Sequence, residues 1–260
     1  MKRITTISLL IAAVFGSNAA QAESIATASL SGVQVSLMDL DLNDGIAPSI
    51  LWTGEGTRGQ SWAANPPAAP QVIGSPVYSA TFVPFSFFAS TAYSNSTNSA
   101  AGSALSDAVL STAGSAQANQ ASFGGSAGAL GMFTLSASTQ AIFSATFNGS
   151  VHIDDGLNEY SMAGLVFRYL AEGEHRANES FIIDIGDLGY AGTASDLITL
   201  TLTLNNNSSQ GLSGSLYAEV FSTGYSNLPP SAVPAPAALP LMLSGLGVVG
   251  AVAARRRKLI

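Results

Sequence analysis

Few side chains in these 260 residues are equipped for chemistry. There is no cysteine, and the only histidines are His152 and His175. Two separated imidazoles without a thiolate fall short of a zinc set. The best cation motif is Asp39-Leu40-Asp41-Leu42-Asn43-Asp44-Gly45, where oxygen ligands alternate and a glycine follows, like the opening of a calcium loop. Counted as a twelve-residue loop from Asp39, its bidentate acid falls on Ile50, which rules out the helix–loop–helix calcium site. Two readings remain for Asp39, Asp41, Asn43 and Asp44: a looser calcium site shared with other loops, or an acidic turn whose side chains bond their own backbone. Trp52 and Trp62 flank Thr53–Ser61, read as a Gly-rich loop. Their rings suit stacking on a sugar or burial in a core.

Catalytic constellations are weaker. Gly124-Gly125-Ser126-Ala127-Gly128 has the spelling of a nucleophile elbow, which needs a strand before it and a helix after it. It falls in a Ser/Ala/Gly tract where that spelling arises by chance. Asp154 with Asp155, and Glu172 with Glu174, have the composition of a glycosidase dyad but lie in polar, turn-like segments. No catalytic residue is assigned, and the expectation is a protein that is not an enzyme.

The elements around these residues read as β-structure. Leu30–Leu37 is a strand with one buried face, and Asp39–Pro48 a loop. Tyr78–Phe88, broken by Pro84, is an edge strand or two short strands. Ser90–Gly128 is rich in Ser, Ala, Asn and Gly, and long for a structureless loop, so strands with Ala and Ser in place of larger residues are expected within it. Met132–Ser138, Ala141–Ile153, Tyr160–Leu170, Phe181–Ile185, Leu197–Leu204 and Leu212–Phe221 follow as strands, with Asp154-Asp155-Gly156 as a hairpin turn. Leu197–Leu204 puts Leu and Ile on one side and Thr on the other. The fold class expected is all-β: a single antiparallel β-sandwich, jelly-roll-like.

Charge separates the middle from the ends. The whole chain has a formal net charge of −7. Between residues 23 and 231 the only cations are Arg58, Arg168 and Arg176, against all 16 acidic residues, a balance of −13. Such a domain is not a nucleic-acid binder. Met1–Ala22 reads as a cleavable signal peptide: Lys2 and Arg3, an apolar run Ile7–Phe15, then Ala20-Gln21-Ala22, with cleavage between Ala22 and Glu23.

The other end, 232–260, has three parts. A Pro-rich lead holds Val233, Pro234, Pro236 and Ala237. An uncharged segment, 237–254, is 18 residues long, and Arg255, Arg256, Arg257 and Lys258 follow. As a helix, 18 residues span about 27 Å, near the lower limit for a hydrocarbon core. The cationic cluster favours the cytoplasmic side.

This order of parts resembles the PEP-CTERM class of bacterial sorting signals. It is closest to the VPLPA-CTERM variant, with Ala235 where Leu is usual and no Glu of the Pro-Glu-Pro form. The resemblance implies an exosortase-like membrane protease as partner, at least transient residence in the inner membrane, and an exported product, often in bacteria that make extracellular polysaccharide. The function expected is a cell-envelope or extracellular-matrix structural protein. The alternatives are a carbohydrate-binding module, with calcium as its possible cofactor and Trp52 or Trp62 as sugar contacts, and a secreted hydrolase.

Overall fold

The computed structural model describes residues 23–65, 69–117, 120–172, 176–186 and 190–227. The expected signal peptide and the C-terminal tail lie outside them. Among the described residues, twelve strands form two six-stranded antiparallel sheets. The first sheet holds β1 (Ser24–Asp39), β4 (Phe85–Ser90), β5 (Ser94–Ala101), β6 (Val109–Ala116), β8 (Thr139–Ile153) and β11 (Gly192–Asn206), in the order β11-β8-β1-β6-β5-β4. The second holds β2 (Ile50–Asn65), β3 (Ala69–Ser79), β7 (Ala121–Leu135), β9 (Glu159–Ala171), β10 (Arg176–Gly186) and β12 (Leu212–Ser226), in the order β10-β9-β12-β7-β2-β3. The all-β expectation and the antiparallel two-sheet arrangement hold.

The core lies between the sheets. Phe133 and Phe143 meet across it with ring centroids 5.5 Å apart, and Phe123, Phe147 and Phe167 are fully buried. Many other inward positions are alanine: Ala26, Ala28, Ala127, Ala129, Ala145 and Ala218. In β11, Leu202 and Leu204 point inward and Thr201 and Thr203 outward, as period-2 alternation requires. In β1 the buried positions change parity between Leu30 and Val33. A bulge at Ser31/Gln34, with Gly32 at φ +64°, keeps both sides of the break facing the core.

The tract Ser90–Gly128 contains β5, β6 and the start of β7, with a 3-10 turn at Leu105–Asp107. Beside the buried Leu105, Leu110 and Phe123, several of its inward side chains are small and polar, and they bond the opposite sheet. Ser61 Oγ donates to Ser96 Oγ (2.9 Å), and Ser96 Oγ donates to the Gly124 carbonyl (2.8 Å). Thr112 Oγ1 and Ser222 Oγ share a hydrogen bond of 2.7 Å, and Asn98 Nδ2 donates to the Ser126 carbonyl at 2.7 Å. The interior changes along its length from an aromatic–alanine core to a hydroxyl seam.

Two expectations are corrected. Thr53–Ser61 is not a loop but the body of β2. Its glycines lie under neighbours: a Cβ on Gly54 would meet Met132, and one on Gly59 would meet Phe85. Here glycine marks close approach rather than a turn. Asp154-Asp155-Gly156 does not close a hairpin within one sheet, because β8 and β9 belong to different sheets. The turn crosses between them. Glu159, fully buried, holds it with Oε2 accepting from the amides of Asp154 and Asp155, both at 2.8 Å. Pro84 likewise separates β3, at the edge of the second sheet, from β4, at the edge of the first.

Candidate functional site

The outer face of the second sheet gathers residues far apart in sequence. On β12, Tyr217 pairs with Arg168 of β9 on one side and Leu130 of β7 on the other. Two residues along, Glu219 stands opposite Gly128, Gly128 opposite Arg58 of β2, and Arg58 opposite Tyr78 of β3. Arg58 donates from a guanidinium nitrogen to Glu219 Oε2 at 2.5 Å, and the Tyr217 hydroxyl donates to the same oxygen at 2.6 Å. The guanidinium carbons of Arg58 and Arg168 lie 4.7 and 4.9 Å from the Tyr217 ring centroid, within cation–π range. Gly128 makes the crossing possible: a Cβ there would sit 3.1 Å from the Tyr217 hydroxyl oxygen and 3.2 Å from Arg58 Cγ.

Burial and the Glu219 carboxylate push the Tyr217 phenol far above its ordinary range, so it stays a neutral donor. For Arg58, burial opposes the charged form, but Glu219 and the nearby tyrosines outweigh it and hold the pKa above its ordinary value.

Arg176, at the start of β10, pairs with Leu170 of β9. Arg58, Arg168 and Arg176 all line one cleft of about 850 Å³, together with Tyr78, Leu130 and Asn178. All three cations of residues 23–231 thus converge on one face of an acidic body. No sequence motif announces this. The available signal was the scarcity of arginine itself.

The residues singled out from sequence are not assembled into a site. Asp39 Oδ1 accepts from the Asp41 amide (2.9 Å), Asp41 Oδ1 from the Asn43 amide (3.1 Å), and Asp44 Oδ1 from the Ile46 amide (2.7 Å). These are successive side-chain-to-backbone turns. Among the described residues no three acidic or histidine side chains converge to hold a metal ion.

Trp52 and Trp62 lie on the same strand but on opposite faces. A bulge between Trp52 and Gly54 shifts the register against β7. Trp52 points inward, edge-on to Phe133 at 5.8 Å, and its ring fills the space a Gly131 side chain would need. Trp62 points outward over Gly124, beside Ser126 and Phe221. A joint sugar platform is therefore excluded, and Trp52 is a core residue.

Gly124–Gly128 runs inside β7, which continues as strand to Leu135, so Ser126 sits on no strand-to-helix elbow. His152 hydrogen-bonds Thr193 Oγ1 through Nδ1 (2.8 Å) and Asp154 Oδ1 through Nε2 (3.1 Å), on the exposed face of the first sheet. His175 and Glu174 lie outside the described residues. Glu23 is described: its amide donates to Asp154 Oδ2 at 3.0 Å, and its carboxylate accepts from Gln117 Nε2 at 2.9 Å.

The protein-family model of the PEP-CTERM protein-sorting motif matches residues 232–258. The tail is a PEP-CTERM sorting signal. It contains Val233, Pro234, Pro236, Ala237 and the basic run 255–258. A PEP-CTERM tail implies an exported protein, handled by the membrane protease exosortase and directed to the cell envelope or surface. No curated protein matches the chain.

Proposed function

We propose that this chain is a non-enzymatic structural protein of the cell envelope or extracellular matrix. In this reading residues 1–22 direct export and are removed before Glu23. The acidic β-body forms the mature product, and 232–260 delivers it to exosortase through at least transient insertion of 237–254 in the inner membrane. The observation that carries the reading is the PEP-CTERM match at the tail. The body is read as jelly-roll-like. In support, β6 to β12 cross repeatedly between sheets, giving β6-β1-β8-β11 in one and β7-β12-β9-β10 in the other, with β1 filling the place of a last strand. Strands β4 and β5 then extend the first sheet, and β2 and β3 the second.

The test is intact mass spectrometry of the protein from fractionated native cells, with both terminal peptides mapped. The expected product begins at Glu23, lacks the segment after roughly Pro236, and is found in the outer or extracellular fraction. A product ending at Ile260 in the inner-membrane fraction would replace the sorting reading with a plain anchor.

The carbohydrate-binding alternative draws support from a different place than the tryptophans or the Asp39–Asp44 loop. That place is the arginine-lined cleft.

A further inference from the structure

We propose that the cleft on the outer face of the second sheet binds a carboxylated oligosaccharide, a chain bearing uronate-type acids. The site has three parts. The first is charge. Arg58 is matched by Glu219, whereas Arg168 and Arg176 have no acidic partner among the described residues. The cleft therefore offers two unmatched guanidiniums, whose planar forks suit carboxylates in paired hydrogen bonds. Arg168 is held in place from behind by the Tyr217 ring.

The second part is an apolar wall. Tyr78, 76% exposed, and Leu170, 60% exposed, flank the arginines with large side chains that no part of the described fold covers. An aromatic face and an aliphatic edge suit the C–H face of a sugar ring. The third is the polar remainder, Asn178 and Ser215, which can exchange hydrogen bonds with hydroxyls. A cleft of about 850 Å³ has the size of an extended small-ligand site.

The rest of the molecule narrows the ligand class. Residues 23–231 hold sixteen acids against three cations, so a densely charged polyanion such as nucleic acid or polyphosphate is repelled beyond the cleft. A polymer with about one charge per sugar, spaced by neutral hydroxyls, meets two free guanidiniums without overloading them.

This deepens the matrix reading above by naming the partner class, and it rests on the chain being exported. Binding in solution and tail processing in cells fail separately, so one result does not decide the other.

The experiment is isothermal titration calorimetry of the full chain in mild detergent at low ionic strength, using oligogalacturonates from trimer to hexamer as probe. The methyl-esterified oligomers keep the rings and remove the charge. Oligoglutamate and inorganic phosphate supply charge without rings. Saturable binding of the acid form is expected, weaker by about tenfold or more for the ester and for Arg168→Gln or Arg176→Gln. Tyr78→Ala should weaken it several-fold, and Trp62→Ala should leave it unchanged. The substituted cleft residues are exposed, and circular dichroism checks that each variant is folded. No heat with the acid oligomers, equal affinity for the ester, full competition by oligoglutamate or phosphate, or undiminished binding by a folded variant carrying both Arg168→Gln and Arg176→Gln would each overturn the proposal.

Discussion

At the scale of single residues, side chains that look equivalent in sequence have different jobs. Trp52 and Trp62 are the clearest pair. Ten residues apart on one strand, they would share a face by simple alternation, and the bulge at Trp52/Gly54 sends them to opposite faces. Trp52→Ala should therefore cost roughly 3 kcal/mol of stability by opening space against Phe133. Trp62→Ala should cost less than about 1 kcal/mol. Urea denaturation of both variants checks this, and equal losses would refute the assignment of faces. Asp107 gives a pH-dependent counterpart. Its carboxylate accepts from the amides of Ser103 (2.9 Å) and Ala104 (2.7 Å), which hold its pKa below the ordinary carboxylate value. A lowered folded-state pKa means that its contribution is complete above the unfolded value of about 4 and is lost as pH falls through the folded one. The difference in denaturation midpoint between wild type and Asp107→Asn should be constant near neutrality and shrink below about pH 4. A gap that persists unchanged into acid would show that the carboxylate's charge is not what matters.

At the scale of elements, the hydroxyl seam explains what could and could not be read beforehand. Leu197–Leu204 was legible because its inward residues are Leu and Ile and its outward ones, Leu197 apart, are Thr. Strands are expected within Ser90–Gly128 and are found there, but their positions were not legible, because β5 turns Ser94, Ser96 and Asn98 inward. Hydropathy alternation vanishes when the buried side of a strand is polar. The donors of these side chains are met across the sandwich: Ser94 Oγ and Ser96 Oγ donate to the Ala64 and Gly124 carbonyls, and Asn98 Nδ2 to the Ser126 carbonyl. They also leave little room, since a Cβ on Gly125 would lie 2.9 Å from both Ser96 Oγ and Thr112 Oγ1. Ser96→Val should accordingly destabilise by about 2 kcal/mol, through overpacking and loss of its hydrogen bonds. Ser96→Ala should cost about 1 kcal/mol. If the valine variant proved the more stable of the two in thermal unfolding, the seam would be looser than described. The cleft was illegible for another reason. Arg58, Arg168 and Arg176 come from β2, β9 and β10, and only the register of the intervening strands brings them to one face.

At the scale of the molecule, the first and last described residues of the β-body, Glu23 and Asn227, meet the same turn. The Glu23 amide bonds Asp154, Ser24 Oγ donates to the Tyr160 carbonyl at 2.6 Å, and the Asn227 amide donates to the Asn158 carbonyl at 2.8 Å. β12, which leads into the sorting tail, is an interior strand of its sheet. It is paired with β7 from Leu212 to Ser226 and with β9 from Gly214 to Ser226. A pull delivered through the tail therefore runs along a strand bonded on both flanks. It loads two ladders in shear together, where an edge strand would peel one bond at a time. A load entering at the C-terminal end of β12 would thus meet the sandwich at an interior strand rather than at an edge.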